Sequence, residues 1–88
     1  MQKTIIKFWG NGCTNCKALA PILEMVKNEY KDIAFKEVNI HDHEDVARRY
    51  EVTTIPTLVY EADGTEVGRL MGLKPKSLII KKIDEVFK

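Results

Sequence analysis

Residues 10–12 read Gly-Asn-Gly, and they separate two segments with different hydrophobic periods. Before them, residues 4–9 are β-branched or aromatic apart from Lys7, and they predict a strand. After them, Leu19, Ile22, Leu23, Val26 and Tyr30 recur at helical spacing and predict a helix from Thr14 to about Tyr30 with one buried stripe. A strand that turns sharply into a one-sided helix has to lay that stripe on a sheet, which points to the α/β class. Pro21 lies inside the stripe, removes a backbone donor and crowds the preceding turn, so a bend near Ala18 is expected.

The rest of the chain continues the alternation. Residues 33–40 carry Phe35, Val38 and Ile40 and predict a second strand. Residues 43–50 are charged, with Val46, Ala47 and Tyr50 on one side, and predict a short helix. Residues 57–60 and 67–71 flank Ala62-Asp63-Gly64-Thr65, and an Asp-Gly between two β-prone runs predicts an antiparallel hairpin. Pro75, followed by Leu78, Ile79, Ile83, Val86 and Phe87 at helical spacing, predicts a last helix opening near a first-turn proline. The expected order is βαβαββα in a single domain over residues 1–88, since 88 residues fit one core.

Composition removes several classes of partner. A net charge of +1, with basic residues dispersed among acidic ones, lacks the electrostatic footprint of a nucleic-acid or anionic-membrane binder. No apolar stretch approaches the roughly 20 residues that span a bilayer. The N-terminal apolar run ends at Phe8-Trp9 and is too short and too aromatic for a secretory segment. A secreted domain of this size stapled by disulfides would usually carry more than two cysteines at wider spacing, so a cytoplasmic location is expected.

Those two cysteines carry the chemistry. Cys13-Thr14-Asn15-Cys16 follows the first strand and opens the first helix, the context in which a C-x-x-C pair is redox-active. Unpaired backbone N–H groups and the helix dipole favour a thiolate at Cys13, making it the expected nucleophile. Cys16, one turn later and deeper in the fold, is the expected resolving thiol. Two other readings stand beside this one. Buried cysteines can be plain small hydrophobes, leaving a binding module with idle thiols. Soft thiolates at this spacing also hold Zn or Cu(I) in carrier domains, but structural Zn normally wants four ligands, and His41 and His43 are distant in sequence. The run from His41 through Asp45 reads as capping and solvated charge at a helix entry, so no metal is assigned.

Phe8-Trp9, Cys13-x-x-Cys16-Lys17, Pro21, Tyr50, Ile55-Pro56-Thr57 and Gly72 fall in the order of the thioredoxin family, and the resemblance spans nearly the whole chain. It implies a mixed four-stranded sheet in the order two-one-three-four with helices on both faces, and protein-disulfide exchange with no cofactor beyond the Cys13–Cys16 pair. It implies a cis peptide at Pro56 facing the cysteines, with Ile55 and Thr57 beside the docking site and Trp9, Gly12 and Gly72 around it. The expected partners are disulfide-containing proteins and an upstream reductase, with the chain acting as a monomer. Two departures stand out. The chain starts at the strand that other members usually precede with a further strand and helix, giving a glutaredoxin-sized version. Thr14-Asn15 replaces the familiar dipeptide, and the second tryptophan is missing.

A third departure concerns charge. The family usually has a buried Asp six residues before the first cysteine, with a Lys on the adjacent strand. Here those positions hold Lys7 and Glu37, so both signs are switched. A buried lone Lys is costly, and a Lys7–Glu37 contact beneath Cys16 is therefore expected, with Glu37 the carboxylate that helps take the Cys16 proton and Lys7 favouring the thiolate.

Overall fold

The computed structural model describes all residues from Met1 to Lys88. Its elements are β1 (Lys3–Trp9), α1 (Thr14–Glu29), β2 (Ile33–Asn39), α2 (Glu44–Arg49), β3 (Thr57–Ala62), β4 (Thr65–Met71) and α3 (Lys76–Val86). The sheet order is β2-β1-β3-β4, with β1 and β2 parallel and the other neighbours antiparallel. Class, element order and strand order agree with expectation.

Alternation along β1 assigns the two faces. Ile5 joins Leu58 and Tyr60 from β3, Leu19, Leu23 and Val26 from α1, and Ile79 and Ile83 from α3 in the larger core. Ile6 and Phe8 turn the other way and, with Val59, meet Val46 of α2, Tyr50 and Val52 in a smaller one. Helices therefore cover both faces. Lys7 shares the α1 face with Ile5, because side chains two apart on a strand point the same way.

Boundaries shift where local chemistry decides them. The hairpin strands run longer than expected, up to the turn itself, because Asp63 and Gly64 both take positive φ (52° and 83°). That is a two-residue type I′ turn, whose twist matches the strands it joins. Pro75 is the residue before α3 rather than inside its first turn. At the start of α2 His43 makes no side-chain cap, and the acidic run acts through charge instead, with Glu44 and Asp45 in the first turn at the dipole's positive end. At its other end Glu51 adopts φ 55°, with Val52 N–H donating to Ala47 O and Glu51 N–H to Arg48 O. This is a Schellman closure. The α1 helix continues through Pro21. Both Pro21 and Lys17, whose carbonyl loses its donor, lie on the exposed side where water can serve that carbonyl.

Candidate active site

β1 ends at Trp9, and Gly10, Asn11 and Gly12 reverse the chain into α1. Gly12 has φ +75°, a conformation that L side chains rarely adopt. Gly10 is needed for a different reason: a Cβ there would meet Ile55 Cδ1 at 3.0 Å and His41 Nε2 at 3.1 Å. Ile55 and the β2–α2 connection thus pack directly on the turn. Asn39 Nδ2 also donates to Asn11 Oδ1 (3.3 Å), while His41 N–H donates to Asn39 Oδ1 (2.9 Å). In the sequence Gly-Asn-Gly signals only a turn; that Gly10 lacks positive φ and is required for space instead follows from the fold.

Cys13 is the N-cap of α1, and its Sγ accepts the Cys16 N–H at 3.1 Å. No acidic side chain occupies the first turn to oppose negative charge there. Cys13 and Cys16 are joined in a disulfide with Cα atoms 5.2 Å apart. Their exposures differ: Cys16 is 3% exposed and Cys13 is half-buried. An incoming sulfur therefore reaches Cys13, while Cys16 is shielded beneath it.

The sheet brings the remaining candidates to the same end. Thr57, at the start of β3, is opposite Phe8 on one side and Met71 on the other. The Ile55-Pro56 peptide is cis, and Pro56 O accepts the Gly72 N–H at 2.7 Å. Gly72 has φ +88°. Pro56 is fully buried and Thr57 is 1% exposed, its hydroxyl donating to Thr54 O. Thr57 thus holds the loop's shape, and Ile55 and Gly72 are the partly open members of the group. Met71 (53% exposed) and Leu73 (39% exposed) flank Gly72 and add an apolar surface that the sequence reading did not single out.

Trp9, half-buried, lines a cavity of about 340 Å³ together with Gly12, Cys13, Cys16, Lys17 and Glu37. Lys7 opens into this cavity and into a neighbouring one of about 130 Å³ that Glu37 also lines. Lys7 and Glu37 are register partners across β1 and β2, as expected. The expected ion pair between them is absent from the structure. Glu37 is exposed on the edge strand, where hydration competes with a pairing that would immobilise two flexible chains. No three His, Cys, Asp or Glu side chains converge as metal ligands.

Comparison with known proteins gives one answer. The thioredoxin family model matches residues 1–85. A thioredoxin of Chlamydia caviae is 41% identical over 81 residues, covering 92% of this chain and 79% of that protein. A thioredoxin of Mycoplasma genitalium is 37% identical over 79 residues, covering 90% and 78%. Among solved structures, oxidised mitochondrial thioredoxin 3 of Saccharomyces cerevisiae superposes with a TM-score of 0.90 at 30% identity, covering 96% of this chain and 78% of that one. With a disulfide-bonded Cys13-x-x-Cys16 at the strand-to-helix junction, the chain belongs to the thioredoxin family and is a thiol-disulfide oxidoreductase.

Proposed function

We propose that Cys13 is the attacking thiol and Cys16 the resolving thiol of a protein-disulfide reductase that works as a monomer in the cytoplasm. The observation that carries the assignment is the asymmetry of the pair: a half-buried Cys13 at the helix N-cap, receiving the Cys16 N–H, above a Cys16 that is 3% exposed. The Cys13 thiolate attacks one sulfur of a substrate disulfide, and that bond breaks as the other substrate sulfur leaves as thiolate. Cys16 thiolate then attacks Cys13 Sγ, reforming the internal disulfide and expelling the second substrate sulfur. Two electrons pass to the substrate, and an upstream reductase restores the dithiol.

Ile55, Gly72 and the exposed Met71 and Leu73 form the docking rim, with Trp9 and Gly12 at the cysteine side and Pro56 and Thr57 holding the loop from within. Apolar side chains around backbone suit an extended peptide segment of a substrate protein. Insulin reduction driven by dithiothreitol tests the activity. With Cys16→Ser, stable mixed disulfides to substrate accumulate on Cys13; with Cys13→Ser they do not. Trapping through Cys16 instead would reverse the assignment, and absence of reduction with tightly bound metal in the reduced protein would support a thiolate carrier.

A further inference from the structure

Lys7 is only 8% exposed, yet it enters no ion pair and none of the side-chain hydrogen bonds of the protein. No buried side-chain nitrogen or oxygen lacks a partner. The Lys7 ammonium must therefore keep its hydration by facing a cavity, and the larger cavity that it lines also contains Cys16. A nearly buried cation held without a counter-ion favours negative charge in the space that it shares. The reaction itself generates such a charge there, since Cys16 becomes a thiolate each time the Cys13–Cys16 bond opens.

We propose that Lys7 is a positioning residue that serves as the electrostatic counter-charge of the Cys16 thiolate, in place of a carboxylate acting as its base. This rests on the assignment of Cys16 as the resolving thiol. When a thiolate attacks Cys13 Sγ, the bond to Cys16 breaks and the electron pair stays on Cys16 Sγ, in the cavity that Lys7 also lines. In the reverse direction the same thiolate attacks Cys13 Sγ of the mixed disulfide, and the leaving sulfur departs with its electrons. No proton has to pass through Lys7 in either step. The other charged groups facing these cavities are Lys17, Glu24 and Lys27 from α1 and Lys36 and Glu37 from β2. With Lys7 there are four lysines against two glutamates, none of them engaged in an ion pair, so the local balance is positive.

Burial alone raises a thiol's pKa above its ordinary value of about 8.5, because it penalises the anion. A neighbouring cation acts in the opposite direction. In the Cys13→Ala background Cys16 is the only thiol, and its ionisation can be followed by the ultraviolet absorbance of the thiolate. The expected midpoint is below about 8.5 despite burial. Adding Lys7→Met should raise it by about one pH unit, a tenfold change in proton affinity, whereas Lys7→Arg should retain the low value. In the dithiol protein, Lys7→Met should slow resolution of a mixed disulfide at neutral pH and move the rate profile to higher pH. The gain in thiolate fraction outweighs the nucleophilicity lost with a lower pKa, since the Brønsted coefficient is about 0.4–0.5. A merely structural role for Lys7 would lower the unfolding midpoint without moving the titration. A Cys16 midpoint above about 8.5 in the Lys7 protein, a measurement that needs no Lys7 variant, would overturn the proposal. So would an unchanged midpoint in Lys7→Met or Lys7→Gln. Failure to reduce insulin would instead defeat the underlying enzymatic assignment, and the titration remains readable either way.

Discussion

At the scale of single residues, burial and hydrogen bonding decide which polar groups carry weight. Tyr60 is fully buried, and its hydroxyl donates to Ile79 O of α3 at 3.0 Å. Desolvation drives its pKa far up, because the phenolate cannot be hydrated in the core. A folded pKa raised above the unfolded one leaves stability intact below about pH 10 and removes it as pH rises further, since the unfolded chain then releases the proton first. The unfolding midpoint should accordingly fall above about pH 10, and Tyr60→Phe should flatten that limb. At neutral pH the same substitution should cost about 1 kcal/mol in denaturant unfolding, the net worth of one hydrogen bond. The ring itself packs tilted against Phe87 at a centroid distance of 5.8 Å and is preserved by the change.

Elements are closed by backbone conformations that the sequence signals unequally. Asp63-Gly64 is a strong signal, and its two positive φ values follow from it. Glu51 carries no such signal, yet it holds the left-handed position that ends α2. A side chain there costs roughly 1–2 kcal/mol relative to glycine. Glu51 is exposed and makes no ion pair, so Glu51→Gly should stabilise the protein by roughly 1 kcal/mol in denaturant unfolding. The reverse experiment is Gly64→Ala, which forces an L side chain to φ +83° and should destabilise by a similar amount even though the added Cβ meets no atom within 4 Å.

Across the whole molecule, charged clasps add to the apolar contacts of the two cores. Lys3 pairs with Asp32 at 2.9 Å, joining β1 to the α1–β2 connection. Arg69 Nε donates to Glu66 Oε2 at 2.7 Å and Arg69 Nη2 to Tyr50 O at 2.8 Å, which fastens the end of α2 to β4. The hydrogen bond from Lys3 holds the Asp32 carboxyl below its ordinary pKa, and that from Arg69 does the same for Glu66. Carboxyls depressed in the folded state contribute stability above their unfolded pKa and lose it as pH falls through the folded one. The thermal midpoint should therefore decline as the solution is acidified through and below the ordinary carboxylate range. Glu66→Gln should shrink that decline, modestly because the pair is solvent-screened. A decline unchanged in Glu66→Gln would leave the α2–β4 clasp without a role in acid stability.

The amino-acid sequence by itself determined the class, the seven elements and the reactive pair. Hydrophobic period, Gly-Asn-Gly, Asp-Gly and a cysteine pair at a strand-to-helix junction are local features, and their consequences are local too. The order of the motifs also led, through family resemblance, to the sheet order and the cis Ile55-Pro56 peptide that the structure contains. Tertiary structure decided what depends on the third dimension. Met71 and Leu73 stand beside Gly72 as an exposed apolar rim only because β4 ends at the cysteine end of the sheet. Gly10 matters because Ile55, 45 positions later, packs onto it. The switched charges of Lys7 and Glu37 were legible as a pair of positions, and the parallel register does place them opposite each other. Whether they join was a matter of solvation: Glu37 stays exposed on an edge strand, while Lys7 is carried under α1 into the cavity it shares with Cys16.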